Sequence, residues 1–241
     1  MSLSLSVVIP AFNEAERLGP TLERIASYLE EGSGSWEILV VDDGSRDATV
    51  AVAEAAGDGV RVLRQPENRG KGAALRRGVG ESRGDRVLLC DADLSTPIED
   101  LARLIPAVDA GAALAMGSRA VSGSRIEQRQ PLYRELMGKT FNGLIRLFGV
   151  RGFRDTQCGF KLLDGAVARQ LFEQLKTDGF AFDVELVWLA LRAGHEVVEV
   201  GVRWSNSADS RVHPILDSSR MLRDILRMRW RHRGRSRHRA P

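Results

Sequence analysis

Four short runs of largely β-branched and apolar residues recur in the N-terminal part of the chain, and a stretch with helical character separates each run from the next. The runs occupy residues 6–9, 37–41, 60–63 and 86–89. Strands as continuously apolar as these are typical of parallel sheets that are covered on both faces. The pattern therefore predicts an α/β fold with a β-α-β-α-β core, in which ligands gather beyond the carboxyl ends of the strands.

Acidic or turn-forming residues follow three of the four runs, at residues 10–14, 42–45 and 91–93. Because these segments stand at the carboxyl ends of predicted strands, we expect them to lie together. Asp91 and Asp93 can converge on one divalent cation that carries a diphosphate, since Mg²⁺ prefers oxygen ligands and shares its coordination with substrate phosphates. An Asp-x-Asp triplet by itself would be an ordinary solvated turn. In this context it predicts nucleotide-sugar chemistry.

The length and composition agree with one large domain. The chain has 241 residues, of which 43% are hydrophobic and 28% are charged, enough to bury a single core. Cys90 and Cys158 have neither the spacing of a metal site nor that of a redox pair, which favours a reduced protein. The four histidines lie outside zinc-ligand spacing. The N-terminus has no signal-peptide pattern and no run is long enough to span a bilayer, so we expect a cytoplasmic location.

Positive charge is concentrated at the C-terminus. Residues 219–241 contain nine Arg and one Asp, a net charge of +8, whereas residues 1–218 carry −5 and the whole chain +3. We therefore divide the sequence into a domain at 1–218 and a basic amphipathic helix and tail at 219–241. The second segment suits an anionic membrane surface, but a last helix docked on the core with a solvated arginine face fits equally. Nucleic acid is not an expected partner, because the tail has only Trp230 for stacking and the rest of the chain is acidic.

Four motifs in a fixed order give the sequence a family resemblance. They are Val8-Ile9-Pro10-Ala11-Phe12-Asn13-Glu14, Val40-Val41-Asp42-Asp43-Gly44-Ser45, Asn68-Arg69-Gly70-Lys71-Gly72 and Asp91-Ala92-Asp93. Together they resemble the nucleotide-binding half of inverting family 2 glycosyltransferases with the GT-A fold, a Rossmann-like mixed sheet flanked by helices in a single domain. Segments at 117–119, 155–161, 182–186 and 210–212 are similar to the polyprenyl-phosphate branch, first the dolichyl-phosphate β-glucosyltransferases and next the dolichol-phosphate mannose synthases.

The resemblance implies a donor site. It places the nucleotide sugar at Pro10, Phe12, Glu14, Val41, Asp43, Gly70, Lys71, Asp91, Ala92, Asp93, Arg119 and Arg211. Phe12 would rest against the base or ribose, Asp43 would read an N–H of the base, and Arg211 would stand on a loop that closes over the donor. Asp93 is the first expected metal ligand and Asp91 the second, for Mg²⁺ or Mn²⁺.

The glycine-rich loop at 68–72 has two interpretations. It lacks the Gly-x-x-x-x-Gly-Lys-Ser/Thr pattern of a Walker loop. It could approach the ribose or diphosphate closely through free backbone N–H groups, or it could simply begin the helix that follows.

The acceptor side of the resemblance rests on arginines. Arg134 matches an arginine that mannose synthases place for the acceptor phosphate, and Arg125 is a nearby alternative. A guanidinium suits phosphate, although both could belong to a solvated basic face. Arg119 matches an arginine near the reacting centre. A further mannose-synthase arginine is replaced here by Ser205, which favours the glucosyltransferase side and leaves Arg203 as a candidate substitute.

The acidic doublet that serves as a base in many hydroxyl-glycosylating relatives is missing, because Val184 separates Asp183 from Glu185. A polyprenyl phosphate needs no strong base, since a phosphate monoester is ionised near neutral pH. We expect Glu185 to join Asp91, Asp93 and Arg119 at the catalytic centre as a positioning residue. Asp183 could orient the acceptor or simply start a helix.

These inferences predict a metal-dependent inverting glycosyltransferase that moves glucose from UDP-glucose to a polyprenyl phosphate while attached peripherally to a membrane. The alternatives are a GDP-mannose-dependent mannosyltransferase, a family 2 enzyme acting on a hydroxyl acceptor, and a non-enzymatic protein that binds nucleotide sugars or nucleic acid. The apolar segment 131–148 either packs in the core or lies on the membrane beside the acceptor.

Overall fold

The computed structural model describes residues 4–32, 34–128, 143, 150, 152–206 and 214–232. The strands are β1 (Leu5–Ala11), β2 (Trp36–Asp42), β3 (Val60–Arg64), β4 (Arg86–Leu89), β5 (Leu114–Ser118), β6 (Arg125–Gln128), β7 (Lys161–Asp164), β8 (Val197–Gly201) and β9 (Arg203–Ser205). The helices are α1 (Ala15–Glu30), α2 (Thr49–Glu54), α3 (Lys71–Glu81), α4 (Leu101–Asp109), α5 (Gly165–Gln174), α6 (Phe182–Arg192) and α7 (Pro214–Arg231), with a 3₁₀ turn at Ile98–Asp100.

Seven strands form one mixed sheet in the order β3-β2-β1-β4-β7-β5-β8. All neighbours are parallel except at β7, which runs antiparallel to both β4 and β5. The strand order reverses direction at β1, from which the chain proceeds first to β2 and β3 and then to β4 on the other side. The α/β prediction is confirmed, and each of the four predicted strands lies in this sheet.

Two apolar layers cover the two faces of the sheet. On one face Val8, Leu39 and Val41 pack with α3, α5, α6 and α7, and on the other Val7, Ile9 and Ile38 pack with α1 and α4. Successive residues of β1 and β2 therefore enter opposite cores. This double burial explains why the strands are continuously apolar rather than alternating.

Helix α7 begins before the predicted boundary between 218 and 219 and docks on the domain. Met221 and Ile225 are buried in the core that includes α6, Met228 is buried as well, and Leu226 and Trp230 are exposed. The described part of the basic segment thus docks on the domain along one face, its membrane contact stays a prediction, and residues 233–241 lie outside the described residues. Across the described ranges, none of the helices combines the length and apolarity that crossing a bilayer requires.

Gly78 sets how closely α3 lies on the sheet. A Cβ built on Gly78 would lie 2.4 Å from Val8 Cγ1 and 2.8 Å from Val41 Cγ2. Both neighbours are β-branched and buried, so they have few alternative rotamers. The helix can approach the sheet only because this position has no side chain.

We expect Gly78→Ala to lower the free energy of unfolding by about 1–3 kcal/mol, because the added methyl group overpacks the contact between α3 and the sheet. Gly80→Ala is the matched control on the same helix, since a Cβ there meets no atom within 4 Å. The control should be neutral or stabilising by up to about 1 kcal/mol. Urea denaturation followed by circular dichroism measures both, and equal stability of the two variants would contradict the packing argument.

Candidate active site

The loops that follow β1 and β2 are bonded to each other at the carboxyl edge of the sheet. Asn13 N donates to Ser45 Oγ at 2.8 Å, and Arg46 N donates to Asn13 Oδ1 at 2.8 Å. Asn13 has a φ of 55°, a conformation that Asn tolerates better than most residues. The first two of the three predicted acidic segments are therefore held together as one rigid wall.

Asp43 fastens the glycine-rich loop to the end of β2. Its carboxylate accepts hydrogen bonds from Gln65 Nε2 at 2.7 Å and from the backbone N–H groups of Arg69 and Gly70, each at 2.8 Å. Burial raises the pKa of Asp43, and the two backbone donors oppose the rise. Gly70 has a φ of 106°, which a residue with a side chain rarely adopts. Asp43 thus has a clear role in positioning the loop, and its predicted contact with the base remains a prediction.

Lys71, the first residue of α3, places a positive charge beside Asp91. Its Nζ lies 2.5 Å from Asp91 Oδ1 and 5.8 Å from the centre of the Phe182 ring. Burial disfavours the cation, but the carboxylates of Asp91 and Asp183 outweigh that effect and raise the pKa of Lys71 above its ordinary value. The amine therefore stays protonated across the physiological range.

Asp91 lies between two segments that are distant in sequence. Burial alone would raise its pKa, but the Lys71 ammonium outweighs this and lowers the pKa of Asp91. On the opposite side the Gly159 backbone packs against the carboxylate, so that a Cβ on Gly159 would lie 2.0 Å from Asp91 Oδ2. The lysine and the glycine together fix where this carboxylate points.

Asp93 is anchored more loosely than Asp91. Its Oδ1 accepts a hydrogen bond from Ser95 N at 3.0 Å, and its Oδ2 lies 3.9 Å from Arg17 Nη1. Arg17 also donates two hydrogen bonds of 2.7 Å to Glu14, which links the first motif to the fourth. The Asp93 side chain keeps 23% of its surface exposed, so its oxygens can reach a ligand.

The carboxylates of Asp91 and Asp93 suit a hard divalent cation, because Mg²⁺ and Mn²⁺ take oxygen ligands. Among the described residues no cluster of three or more His, Cys, Asp or Glu side chains could hold a metal alone. A cation at this pair would complete its coordination with oxygens from elsewhere, as Mg²⁺ does when it is bound with substrate phosphates.

Arg119 is held beside this cluster by Asp155. Its Nε and Nη2 donate to the two Asp155 oxygens at 2.7 and 2.9 Å, its backbone N–H donates to Oδ2 at 3.0 Å, and its guanidinium lies 5.3 Å from the Trp204 ring centre. Burial opposes ionisation of Asp155, but Arg119 outweighs it and lowers the pKa of Asp155 to about 2. Burial opposes the charge of Arg119, but Asp155, with a smaller contribution from Asp91, outweighs it and raises the pKa of Arg119.

Glu199 supports the ion pair between Arg119 and Asp155 by bonding to the residues next to it. This carboxylate accepts hydrogen bonds from Ser118 Oγ and from the backbone N–H groups of Arg154 and Asp155, all between 2.8 and 2.9 Å. Sequence reasoning gave no role to Asp155 or Glu199. No periodicity or local spacing could have revealed them, because each pairs with residues more than thirty positions away in the chain.

Asp183 and Glu185 have partners away from Asp93. Asp183 Oδ1 lies 2.5 Å from Nζ of Lys161, which is fully buried, and burial raises the pKa of Asp183 while Lys161 and Lys71 limit the rise. Glu185 is fully buried and bonds to the loop before α6 and to His232. In the described part of the chain Glu185 makes no hydrogen bond to the predicted catalytic residues, so its expected place at the catalytic centre gains no support from direct contact.

The remaining predicted residues lie at the strand ends or on the surface. Pro10 and Val41 are register partners across β1 and β2, Phe12 is exposed beside them, and the carbonyl of Ala92 accepts a hydrogen bond from Thr21 Oγ1 at 2.8 Å. Arg125 is exposed on β6.

Arg203 is bound to Asp100 by a side-chain hydrogen bond of 2.8 Å and a backbone one of 2.6 Å, which ties it to the 3₁₀ turn. This pairing orients the guanidinium towards the 3₁₀ turn, and a role for Arg203 as the substitute arginine stays a prediction. Arg134, Arg211 and the segment 131–148, except Gly143, lie outside the described residues.

A mixed sheet flanked by helices, with acidic loops at the carboxyl edge of its parallel strands, is the arrangement of a GT-A glycosyltransferase. The model of the family described as "Glycosyl transferase family 2" matches residues 6–172. The chain belongs to this family and is a glycosyltransferase.

Curated relatives and a solved structure extend the comparison. The chain is 40% identical over 245 residues to a dolichyl-phosphate β-glucosyltransferase of Drosophila melanogaster, and 36% identical over 244 residues to one of Homo sapiens; each alignment covers 95% of this chain and 75% of the relative. A crystal structure of glucosyl-3-phosphoglycerate synthase from Mycobacterium tuberculosis with Mn²⁺, UDP and glucosyl-3-phosphoglycerate has a TM-score of 0.67 at 22% identity, covering 97% of this chain and 81% of that one. This last likeness concerns the fold.

We expect Asp155→Asn to destabilise the protein by about 2 kcal/mol at pH 6, because the lowered pKa of Asp155 reflects stabilisation of its ionised form by Arg119. That stabilisation is present above the unfolded pKa near 3.8 and is lost as the pH falls towards 2. The stability difference between the wild type and the variant should therefore shrink between pH 4 and pH 2. Urea denaturation at a series of pH values measures it, and a difference independent of pH would refute the assignment.

Proposed function

We propose that the protein transfers glucose from UDP-glucose to a polyprenyl phosphate and forms a β-linked lipid-phosphate sugar. The observation that carries the proposal is the 40% identity to a dolichyl-phosphate β-glucosyltransferase along nearly the whole chain. The arrangement of Lys71, Asp91, Asp93 and Arg119 at one edge of the sheet supports it.

The donor lies, in this proposal, across the wall formed by the first two motifs. The base or ribose rests against Phe12, near Pro10 and Val41, and Glu14 accepts hydrogen bonds from the ribose. Asp43 retains lone pairs for an N–H of the base besides the three hydrogen bonds that it accepts within the protein. Gly70 and Ala92 allow close approach, since neither has a bulky side chain.

Asp93 is the first proposed ligand of Mg²⁺ or Mn²⁺, and Asp91 is the second. The cation, when bound, supplies Lewis-acid stabilisation of the charge on the departing nucleoside diphosphate. Lys71 and Arg119 contribute further positive charge, and both are already oriented by ion pairs with buried or half-buried carboxylates. Charges fixed in advance need no reorganisation during the reaction.

The acceptor attacks without a strong base. An oxygen of the ionised phosphate monoester forms the new bond to the anomeric carbon on the face opposite the leaving group, and UDP departs with the bonding electrons. No proton has to be removed from the nucleophile near neutral pH. The pairing of Asp183 with Lys161 fits this scheme, because Asp183 is engaged in structure rather than free for proton transfer. Arg125 and Arg134 remain the proposed contacts of the acceptor phosphate, and Arg211 remains a proposed contact of the donor.

The proposed membrane contact is the outer face of α7, formed by Leu222, Arg223, Leu226, Arg227 and Trp230. Leu226 is 51% exposed and Trp230 is 72% exposed. Apolar side chains between arginines on one helix face suit the headgroup region of an anionic, cytoplasmic leaflet. The protein would then attach peripherally and bring its site to a lipid-linked phosphate.

We expect Asp93→Asn to lower turnover by about a hundredfold or more while leaving the fold intact, because it removes a charged ligand at the proposed metal. The control is Asp58→Asn, which changes an exposed carboxylate. Both are assayed with UDP-glucose, a short-chain polyprenyl phosphate and Mn²⁺, and the lipid product is identified by mass spectrometry. Product formation should stop with EDTA. Product from GDP-mannose alone would establish the mannosyltransferase instead, and an absence of lipid product with either donor would contradict the proposal.

Replacing Leu226 and Trp230 together by Ser should weaken binding to vesicles that contain anionic lipid by about tenfold or more, because their burial in the bilayer surface is lost. Leu191→Ser, on α6, serves as the control, since Leu191 is 41% exposed outside the proposed face. Flotation of vesicles measures binding, and added salt should weaken it further. Equal binding by the double variant and the wild type would exclude this face as the attachment surface.

A further inference from the structure

The loop between α5 and α6, residues 175–181, touches the glycine-rich loop on one side and Glu185 on the other. On the first side Ala73 N donates to Asp178 O at 3.1 Å. A Cβ on Gly70 would lie 2.5 Å from Asp178 O, and one on Gly72 would lie 2.3 Å from Thr177 O. The backbone at 177–178 is therefore the surface against which the start of α3 is packed.

On its second side the same loop is held by a carboxylate. Glu185 Oε2 accepts from Thr177 N at 2.7 Å, and its Oε1 accepts from Lys176 N at 3.2 Å. Because Glu185 is fully buried and Thr177 is buried as well, this carboxylate depends on protein donors rather than on water for its hydrogen bonds. The carboxylate thus fixes the position of the backbone of residues 176–178 against the glycine-rich loop.

His232, at the end of α7, completes this arrangement. Its Nε2 lies 2.6 Å from Glu185 Oε1, its ring is 5.1 Å from that of Trp188, and its carbonyl accepts from Arg192 Nη1 at 2.9 Å. The side chain is 2% exposed. The helix with the exposed Leu226 and Trp230 is therefore tied to the residue that holds the loop.

We propose that Glu185 is a positioning residue for the donor, and that His232 ties it to α7. Glu185 holds the backbone of 176–178 against Gly70 and Gly72, which in turn sets Lys71 on Asp91. Docking of α7 thereby holds the glycine-rich loop in the shape that accepts a nucleoside diphosphate. This inference rests on the proposed function, and it assigns the positioning role of Glu185 to the donor side of the site.

Two variants test the inference. Glu185→Gln keeps the shape but presents an amide N–H₂ in place of one acceptor oxygen, and His232→Phe keeps a ring beside Trp188 but loses the bond to Glu185. Leu22→Ala, in the core on the other face of the sheet, is the control for a general loss of stability. Hydrogen exchange of the amides at 69–73 and calorimetric binding of UDP with Mn²⁺ are measured for each.

We expect both variants to speed exchange at 69–73 and to raise the Kd for UDP by about five- to tenfold, the effect of one buried donor or acceptor left unpaired. Leu22→Ala should lower Tm without either change. Unchanged exchange at 69–73, or faster exchange with an unchanged Kd, would overturn the inference. If the wild type itself fails to bind UDP while the variants still speed exchange, the proposed donor is wrong and the link between Glu185 and the loop stands.

Discussion

The ion pair between Lys71 and Asp91 is the contact on which the geometry of the site depends. It joins the start of α3 to the end of β4, and Gly159 completes the enclosure from the other side. Asp91 and Asp183 repel each other, and Lys71 interacts favourably with both. Loss of this ammonium would leave two neighbouring carboxylates in a poorly solvated place. The same ion pair therefore balances the charge of the site and holds the glycine-rich loop in position.

Three cations of the described site are each paired with a carboxylate. Arg119 pairs with Asp155, Lys161 with Asp183, and Lys71 with Asp91. A diphosphate that enters such a site meets cations that are already paired with carboxylates. The proposed divalent metal would therefore supply positive charge that is not already paired within the protein, in addition to that of Lys71 and Arg119.

Local sequence information predicted the first half of the fold and its acidic edge, because strands buried on both faces have an unmistakable apolar pattern and their ends bear motifs in a fixed order. It could not predict the support of Arg119 by Asp155 and Glu199, which joins residues from separate strands and loops. Nor could it distinguish whether Glu185 faces a substrate or the backbone at 176–177, since an acidic residue early in a helix is compatible with either. Tertiary pairing between distant residues decided these cases.

Strand β7 also joins the two parts of the sheet that lead to the site. Within the sheet it is the connection between β4, which leads to Asp91, and β5, which leads to Arg119, and it pairs with them over four and three residues. Because β4 and β5 are joined in the sheet through β7, the spacing between Asp91 and Arg119 depends on the register of this short antiparallel segment.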